Sequence, residues 1–418
     1  MGEIELTLDS LAFGGEAVGR DAGGRVVFVA GGAPGDRVIA RVVDDKRNFV
    51  RAELVRVVAA GPARVDAPCP LIARCGGCPW QHVGVDAQLE AKQAIVARAL
   101  GKSGARVEPI VRSAAALGYR TRARLTARNG ALGFAGRRSH EVVDVERCLA
   151  LEPALDAALA LARRALGKAH GEARGGALGE AHGSTRGGAA LAALGEDGTI
   201  AGLVQDGVVE LALTSGRGAD RARLEAVAAA LVGQGAIVRV TVDDPNAPAA
   251  GFAQANAAQN LVLRRLVSDA ARAAGCTVLE LYAGDGNFTQ ELAAVAPSGV
   301  AVEGDRPAAA RLRERLRAHP SWTVVAEPAA RAVERLAAAE ARFDVVVLDP
   351  PRAGAADLIA RVPALLPARL VYVSCDPMTL ARDLATLGRY GYAARVAWPV
   401  DMMPQTWHVE VVVLVEKA

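Results

Sequence analysis

The pattern of apolar and polar positions changes character as the chain proceeds. Residues 4–8, 25–30, 37–43 and 49–57 alternate apolar with polar side chains in strand-length pieces. Gly14, Gly15, Gly19, Gly23, Gly24, Gly31, Gly32 and Gly35 punctuate them. Several short strands in so short a stretch predict a small β-barrel of oligonucleotide-binding type. Further on, a helix near residues 86–100 precedes more strand-like segments. Residues 166–198 are rich in Gly and Ala with little periodicity and predict a loose loop, in which His170 and His182 carry no assigned role. Beyond residue 251 helix and strand alternate: 261–274 reads as helix, and 278–282, 300–303, 343–348 and the segment leading to Cys375 read as strands. A final strand over 409–415 is expected to close the sheet. This is the pattern of a doubly wound α/β domain. The predicted boundaries are 1–58 for the barrel, 69–250 for a central α+β domain and 251–418 for the Rossmann-like domain, with Pro62 and Pro68 in the linker.

A chain of 418 residues is too long for one ordinary core, in keeping with several domains. Its formal charge of +3 does not announce nucleic acid, and 44 arginines against 5 lysines point to compositional bias. The first residues alternate as a strand does and do not form a signal peptide, and no apolar run reaches the length of a membrane span. A soluble, cytoplasmic, monomeric protein with no membrane association is expected.

Local charge is more telling. The second half of the barrel carries Arg37, Arg41, Lys46, Arg47, Arg51 and Arg56. Residues 112–140 hold seven arginines and no acid, with Tyr119, Asn129 and Phe134 among them. On a strand over 119–128, Arg120, Arg122 and Arg124 share one face. Such a face suits phosphate neutralisation and base stacking, although a solvated sheet face has the same pattern.

The six cysteines matter by placement. Cys69, Cys75 and Cys78 form C-x5-C-x2-C, and Gly76 with Gly77 lets the backbone fold tightly enough for the sulfurs to converge. Cys148 is the nearest further cysteine along the chain. Four thiolates suit structural zinc or an iron-sulfur cluster, and spacing alone does not choose. Cys276 reads as packing. Cys375 ends a buried strand stopped by Pro377, which places its thiol at a strand tip, where open α/β sheets bind ligands.

The same domain offers a cofactor site. A strand turning through Gly284 and Gly286 into a helix presents backbone N–H groups, and Glu303, 19 residues past Gly284, ends the next strand where a carboxylate accepts from ribose hydroxyls. The third glycine of a pyrophosphate-binding turn is missing, and Asp349-Pro350-Pro351-Arg352 adds a carboxylate at another strand tip. Together these favour S-adenosylmethionine over a dinucleotide.

Five segments then resemble, in order, the signatures of the RNA uracil-5-methyltransferase family. They are Phe252-Ala253-Gln254-Ala255-Asn256, Leu281-Tyr282-Ala283-Gly284-Asp285-Gly286-Asn287-Phe288-Thr289, Asp349-Pro350-Pro351-Arg352-Ala353-Gly354, Ser374-Cys375-Asp376-Pro377 and Pro404-Gln405-Thr406-Trp407-His408-Val409-Glu410. The barrel looks like the RNA-binding TRAM domain of that family, and Cys69, Cys75, Cys78 and Cys148 look like the 4Fe-4S ligands of its rRNA-modifying branch. Ala283 departs from the pattern, since many members carry another Cys there, but that residue is not the nucleophile. The resemblance implies a methyltransferase acting on carbon 5 of a uridine in RNA, 23S rRNA first and tRNA as the alternative. It makes Cys375 the nucleophile and Glu410 the base, with Gln254, Tyr282, Asn287, Glu303 and Asp349 around S-adenosylmethionine. A thiolate generated near neutral pH implies positive charge near Cys375. Two other readings remain at this stage: an amino-group methyltransferase using Asp349-Pro350-Pro351 without a nucleophilic Cys, and a non-catalytic RNA-binding protein.

Overall fold

Alternation at the start of the chain closes into a barrel. Strands β1 (Glu3–Leu11), β2 (Ala17–Arg20), β3 (Val26–Ala30), β4 (Arg37–Asp45) and β5 (Phe49–Ala59) pair in the order β1-β2-β3-β5-β4, and β1 returns onto β4 with Leu6 opposite Val38. Alternate residues Leu6, Leu8, Val27, Val29, Val38, Ala40, Val50 and Ala52 are buried and fill the interior, as a barrel of this size requires. The expected four strands are joined by β2, which has only four residues. Its Gly19 lies so near β1 that a Cβ would come within 2.4 Å of the Thr7 carbonyl oxygen.

The computed structural model describes residues 2–168, 193–249 and 253–418. Most of the Gly/Ala-rich stretch, with His170 and His182, lies outside the described residues, as does Phe252. Two compact units divide the chain: Met1–Arg64, Val83–Ala114 and Ala258–Ala418 form the first, and Val65–His82 with Ala115–Ala257 the second. Helix α1 (Val85–Leu100) and the short strand β6 (Arg106–Val107) belong to the first unit.

The second unit is a six-stranded sheet covered by helices. Its elements are β7 (Arg122–Arg128), β8 (Ala131–Ala135), β9 (Val142–Asp144), α2 (Pro153–Lys168), β10 (Thr199–Gln205), β11 (Val208–Thr214), α3 (Arg221–Leu231) and β12 (Ile237–Val242). They are ordered β12-β11-β10-β7-β8-β9. Leu155, Leu159, Leu224 and Leu231 pack on Leu125, Leu132, Ile200 and Leu211, a core that removes one face of β7 from water. Ala123, Leu125 and Ala127 therefore point inward while Arg122, Arg124 and Arg128 take the other face.

The remaining elements build the α/β domain: α4 (Ala257–Ala271), β13 (Thr277–Leu281), α5 (Thr289–Val295), β14 (Ser298–Val302), α6 (Arg306–Arg315), β15 (Trp322–Val325), α7 (Ala329–Ala338), β16 (Val345–Leu348), β17 (Arg369–Ser374), α8 (Pro377–Gly388), β18 (Tyr392–Val400) and β19 (Glu410–Lys417). The sheet runs β15-β14-β13-β16-β17-β19-β18-β6. Its first five strands are parallel and apolar on both faces, with every residue of β16 buried, because helices cover both sides. The last strand in sequence does not close the sheet as expected: β19 runs antiparallel between β17 and β18, and β6 takes the edge. Among the described residues no helix is long and apolar enough to cross a membrane.

Candidate functional site

One end of the eight-stranded sheet gathers the carboxyl ends of the parallel strands. Leu281 is level with Val302 on one side and Leu348 on the other, so Tyr282, Glu303 and Asp349, the next residue of each chain, leave the sheet side by side. Ser374 stands opposite Val411 across the antiparallel β17–β19 pair. Cys375, the residue after β17, and Glu410, the first residue of β19, follow that pair, and the Glu410 carboxylate acts on the Cys375 thiol. Insertion of β19 beside β17 is thus what brings these two groups together.

Their electrostatics follow from burial. The Cys375 thiol is pushed up to about 12, first by burial and then by the Glu410 and Asp349 carboxylates, with the Arg352 guanidinium opposing. Burial, followed by the Asp349 charge, pushes Glu410 up to about 8, again against Arg352. Asp349 itself is raised by burial to about 7. Positive charge near Cys375, as expected, comes from Arg352, and the Glu410, Asp349 and Asp376 carboxylates oppose it. Carboxyls raised toward neutrality are, by the same physics, better bases than exposed ones.

Local hydrogen bonds fix the loops that carry these groups. Buried Asp383 accepts from Tyr372 Oη (2.6 Å), from the Ala355 backbone N–H (2.7 Å) and from Arg382 Nε (2.9 Å), which ties down the segment after Asp349. Gly354, at φ +77°, is required there, since a Cβ would come within 2.5 Å of the Arg382 guanidinium. On the other side Arg352 lies 3.3 Å from His408 Nε2 and 6.0 Å from the Trp407 ring. The His408 ring centroid is 3.8 Å from that of Trp407, and Phe13 from the barrel meets Trp407 edge-on at 4.7 Å.

At the cofactor strands, Glu303 accepts from the Gly284 N–H (2.7 Å) and the Asp305 N–H (2.6 Å), so its carboxylate is held at the glycine turn before any ligand arrives. Tyr282 adopts φ +63°, a left-handed conformation rare for a bulky residue and frequent at functional sites. The Asn287 and Asn260 amides donate to each other at 3.0 and 2.8 Å. Gln254 belongs to the second unit, on the segment where Thr121 donates to the Ala255 carbonyl. Sequence reading passed over Glu280, buried in β13 and raised to about 8, chiefly by burial. An acid inside an otherwise apolar strand was the signal.

In the second unit Cys69, Cys75, Cys78 and Cys148 line one cavity, together with Arg120 and Phe134. Turns hold the thiols: Cys75 N donates to Leu71 O (2.8 Å), Gly77 N to Cys75 Sγ (3.4 Å), and Cys148 N to Asp156 Oδ1 (2.8 Å). Burial, with the neighbouring thiolates adding to it, raises Cys78 to about 11 and pushes Cys75 and Cys148 upward. Among the described residues no three His, Cys, Asp or Glu side chains are gathered closely enough to hold a single metal ion. Arg120, just before β7, lines this cavity.

Comparison with known proteins agrees with this layout. Residues 2–55 match the TRAM domain, residues 324–418 match tRNA (Uracil-5-)-methyltransferase, and residues 252–331 match ribosomal RNA adenine dimethylase. The last match spans the glycine turn and Glu303 and stops short of Cys375 and Glu410. A solved structure, the Pyrococcus abyssi tRNA (uracil-54, C5)-methyltransferase in complex with S-adenosyl-L-homocysteine, covers 99% of both chains at a TM-score of 0.70 and 21% identity, which establishes a shared fold. Fold and strand-tip site thus define a methyltransferase-type α/β protein preceded by a TRAM barrel. The 23S rRNA (uracil(1939)-C(5))-methyltransferase RlmD of Halomonas elongata is 33% identical over 99% of this chain and 90% of its own, and that of Salmonella typhi 32% identical over 99% and 96%. The chain belongs to the RNA uracil-5-methyltransferase family.

Proposed function

We infer that the protein methylates carbon 5 of a uridine in 23S rRNA, with S-adenosylmethionine as donor. The observation that carries this reading is the position of Cys375, just past the end of β17, near Glu410 at the start of β19, beside the strand tips of a methyltransferase sheet. S-adenosylmethionine, when bound, supplies an electrophilic methyl group. Glu303, fixed at the Gly284 turn, suits its ribose, and Tyr282, Asn287, Asp349 and Gln254 complete the proposed contacts.

Carbon 5 of uracil is a weak nucleophile. Cys375 overcomes this by attacking carbon 6 as a thiolate: an S–C bond forms, and the displaced electron pair makes carbon 5 enolate-like and able to take a methyl group. Arg352 is the residue that favours the thiolate, against the neighbouring carboxylates. Glu410 then removes the proton left on carbon 5, the electron pair returns, and the S–C bond breaks to release Cys375. Its raised proton affinity suits that step. Since a stacked uracil is out of reach, the target is unpaired or flipped into the cleft.

The cysteine cavity, in this reading, holds a 4Fe-4S cluster. Four cysteines lining one cavity suit ligation by four thiolates, which the family resemblance assigns to such a cluster. The cluster has a structural or RNA-positioning role, because the chemistry above uses no electrons.

The test is methyl transfer from labelled S-adenosylmethionine to 23S rRNA and tRNA transcribed in vitro. Label recovered as 5-methyluridine in 23S rRNA is expected. Label in tRNA alone would reassign the substrate, and label on an exocyclic amino group would move the protein to the amino-methylating class.

A further inference from the structure

Helix α1 contains two polar residues in its buried stripe. Its inward positions are Gln88, Lys92, Ile95, Val96 and Leu100. Val96 and Leu100 enter the apolar core. Lys92, fully buried, donates through Nζ to Asp401 Oδ1 (2.5 Å) and to the Met403 carbonyl (3.0 Å). Gln88 donates to Gln405 Oε1 and accepts from the Gln405 backbone N–H, both at 2.9 Å. That reciprocal pair holds Gln405 at φ +66°, a left-handed conformation that costs free energy for a non-glycine residue. From the other side Gln259 donates to the Asp401 carbonyl at 3.3 Å. Thr406 Oγ1 donates to the Met403 carbonyl (2.7 Å) and accepts from the His408 N–H (3.2 Å), carrying the same network to the residues just before Glu410.

A buried ion pair is a poor way to add stability, since well-packed apolar residues of similar volume serve as well or better. What Lys92 provides that a methionine would not is direction: its ammonium reaches a carbonyl in irregular backbone between β18 and β19. We propose that Gln88 and Lys92 are positioning residues for the methylation reaction, gripping residues 401–406 so that Glu410 enters β19 aimed at the substrate carbon beside Cys375. This rests on the reaction assigned above and extends it to a helix that does not supply the nucleophile or base.

Two variants of the full-length protein test the proposal on unmethylated 23S rRNA transcript with S-adenosylmethionine labelled in its methyl group. Lys92→Met combined with Asp401→Leu removes both buried charges together, so no uncompensated ion is left in the fold. Gln88→Leu removes the second hold without touching a charge. In both, cofactor affinity should match wild type while turnover falls by about a hundredfold, the scale of a misplacement near 1 Å. The lost turnover should reappear as a methyl-labelled covalent protein–RNA band on a denaturing gel, because attack and transfer proceed and proton removal fails. Wild-type turnover in both variants, or loss of turnover with no labelled band, overturns the positioning role. Glu410→Gln run alongside separates the two levels: if it too gives no labelled band, the assigned reaction is wrong, and if it gives one while the helix variants do not, only the role of α1 is lost.

Discussion

The strand-tip site and the cysteine cavity are built by opposite means. At the sheet end, register sets Tyr282, Glu303 and Asp349 in a row, the β17–β19 pairing brings Cys375 near Glu410, and buried Asp383 fixes the loop after Asp349. In the second unit, turns and bridges around Cys75 and Cys148 arrange four thiols on a cavity wall without drawing them onto one point. A preorganised edge concentrates the effect of a mutation on a chemical step, whereas a ligand-completed pocket spreads it over local stability.

The largest effect that separates them is Cys375→Ala, which should bring methyl transfer to background while iron content and cofactor binding stay at wild-type levels. Residual transfer within tenfold of wild type, roughly 1.4 kcal/mol in barrier, would show that this thiol is not the nucleophile. Conversely, Cys148→Ser should bleach anaerobically purified brown protein, drop its iron from about four per chain and lower its unfolding midpoint, with affinity for S-adenosylmethionine unaltered. Stoichiometric zinc in the wild type would instead remove the cluster from the comparison.

Next in size is the Arg352 cation at the edge. Arg352→Met should raise the Cys375 thiol beyond its present value of about 12 and slow trapping by 5-fluorouridine RNA, by about tenfold for each pKa unit. Alkylation of Cys375 by iodoacetamide should climb with pH well past the range of an ordinary thiol, and a plateau near pH 8 would contradict the assigned environment. Smallest of all is the arginine pair of β7. Replacing Arg122 and Arg124 by Ala should reduce the salt dependence of RNA binding by about one unit of slope per phosphate contact and leave cofactor binding alone. An unchanged slope makes that face solvated surface.

How much of this could be read in the chain follows the same division. Strand tips are legible because a parallel strand is an apolar run with a sharp end, and the segments ending at Tyr282, Glu303, Asp349 and Cys375 all have one. The strand pairing that brings Cys375 near Glu410 is not legible, since nothing in the last strand says that it inserts between β17 and β18. Strand β18 (Tyr392–Val400) hides behind a bulge near Arg395 and a proline at 399, and β2 behind its shortness. Lys92 and Gln88 were visible as polar residues in step with Ile95, Val96 and Leu100, yet only the fold reveals that a loop lies beneath them. The acid-rich surroundings of Cys375 likewise come from three separate strands and have no local signature.

In the proposed reaction Cys375 and Glu410 act in succession on one carbon framework. Its most direct measurement is the covalent protein–RNA band formed by Glu410→Gln and by Cys375→Ala with unmethylated 23S rRNA transcript and methyl-labelled S-adenosylmethionine. Glu410→Gln, with its proton-removal step slowed about 10²–10⁴-fold, should accumulate a labelled band, and Cys375→Ala should give none. A labelled band from Cys375→Ala, or normal turnover by Glu410→Gln, would contradict the account.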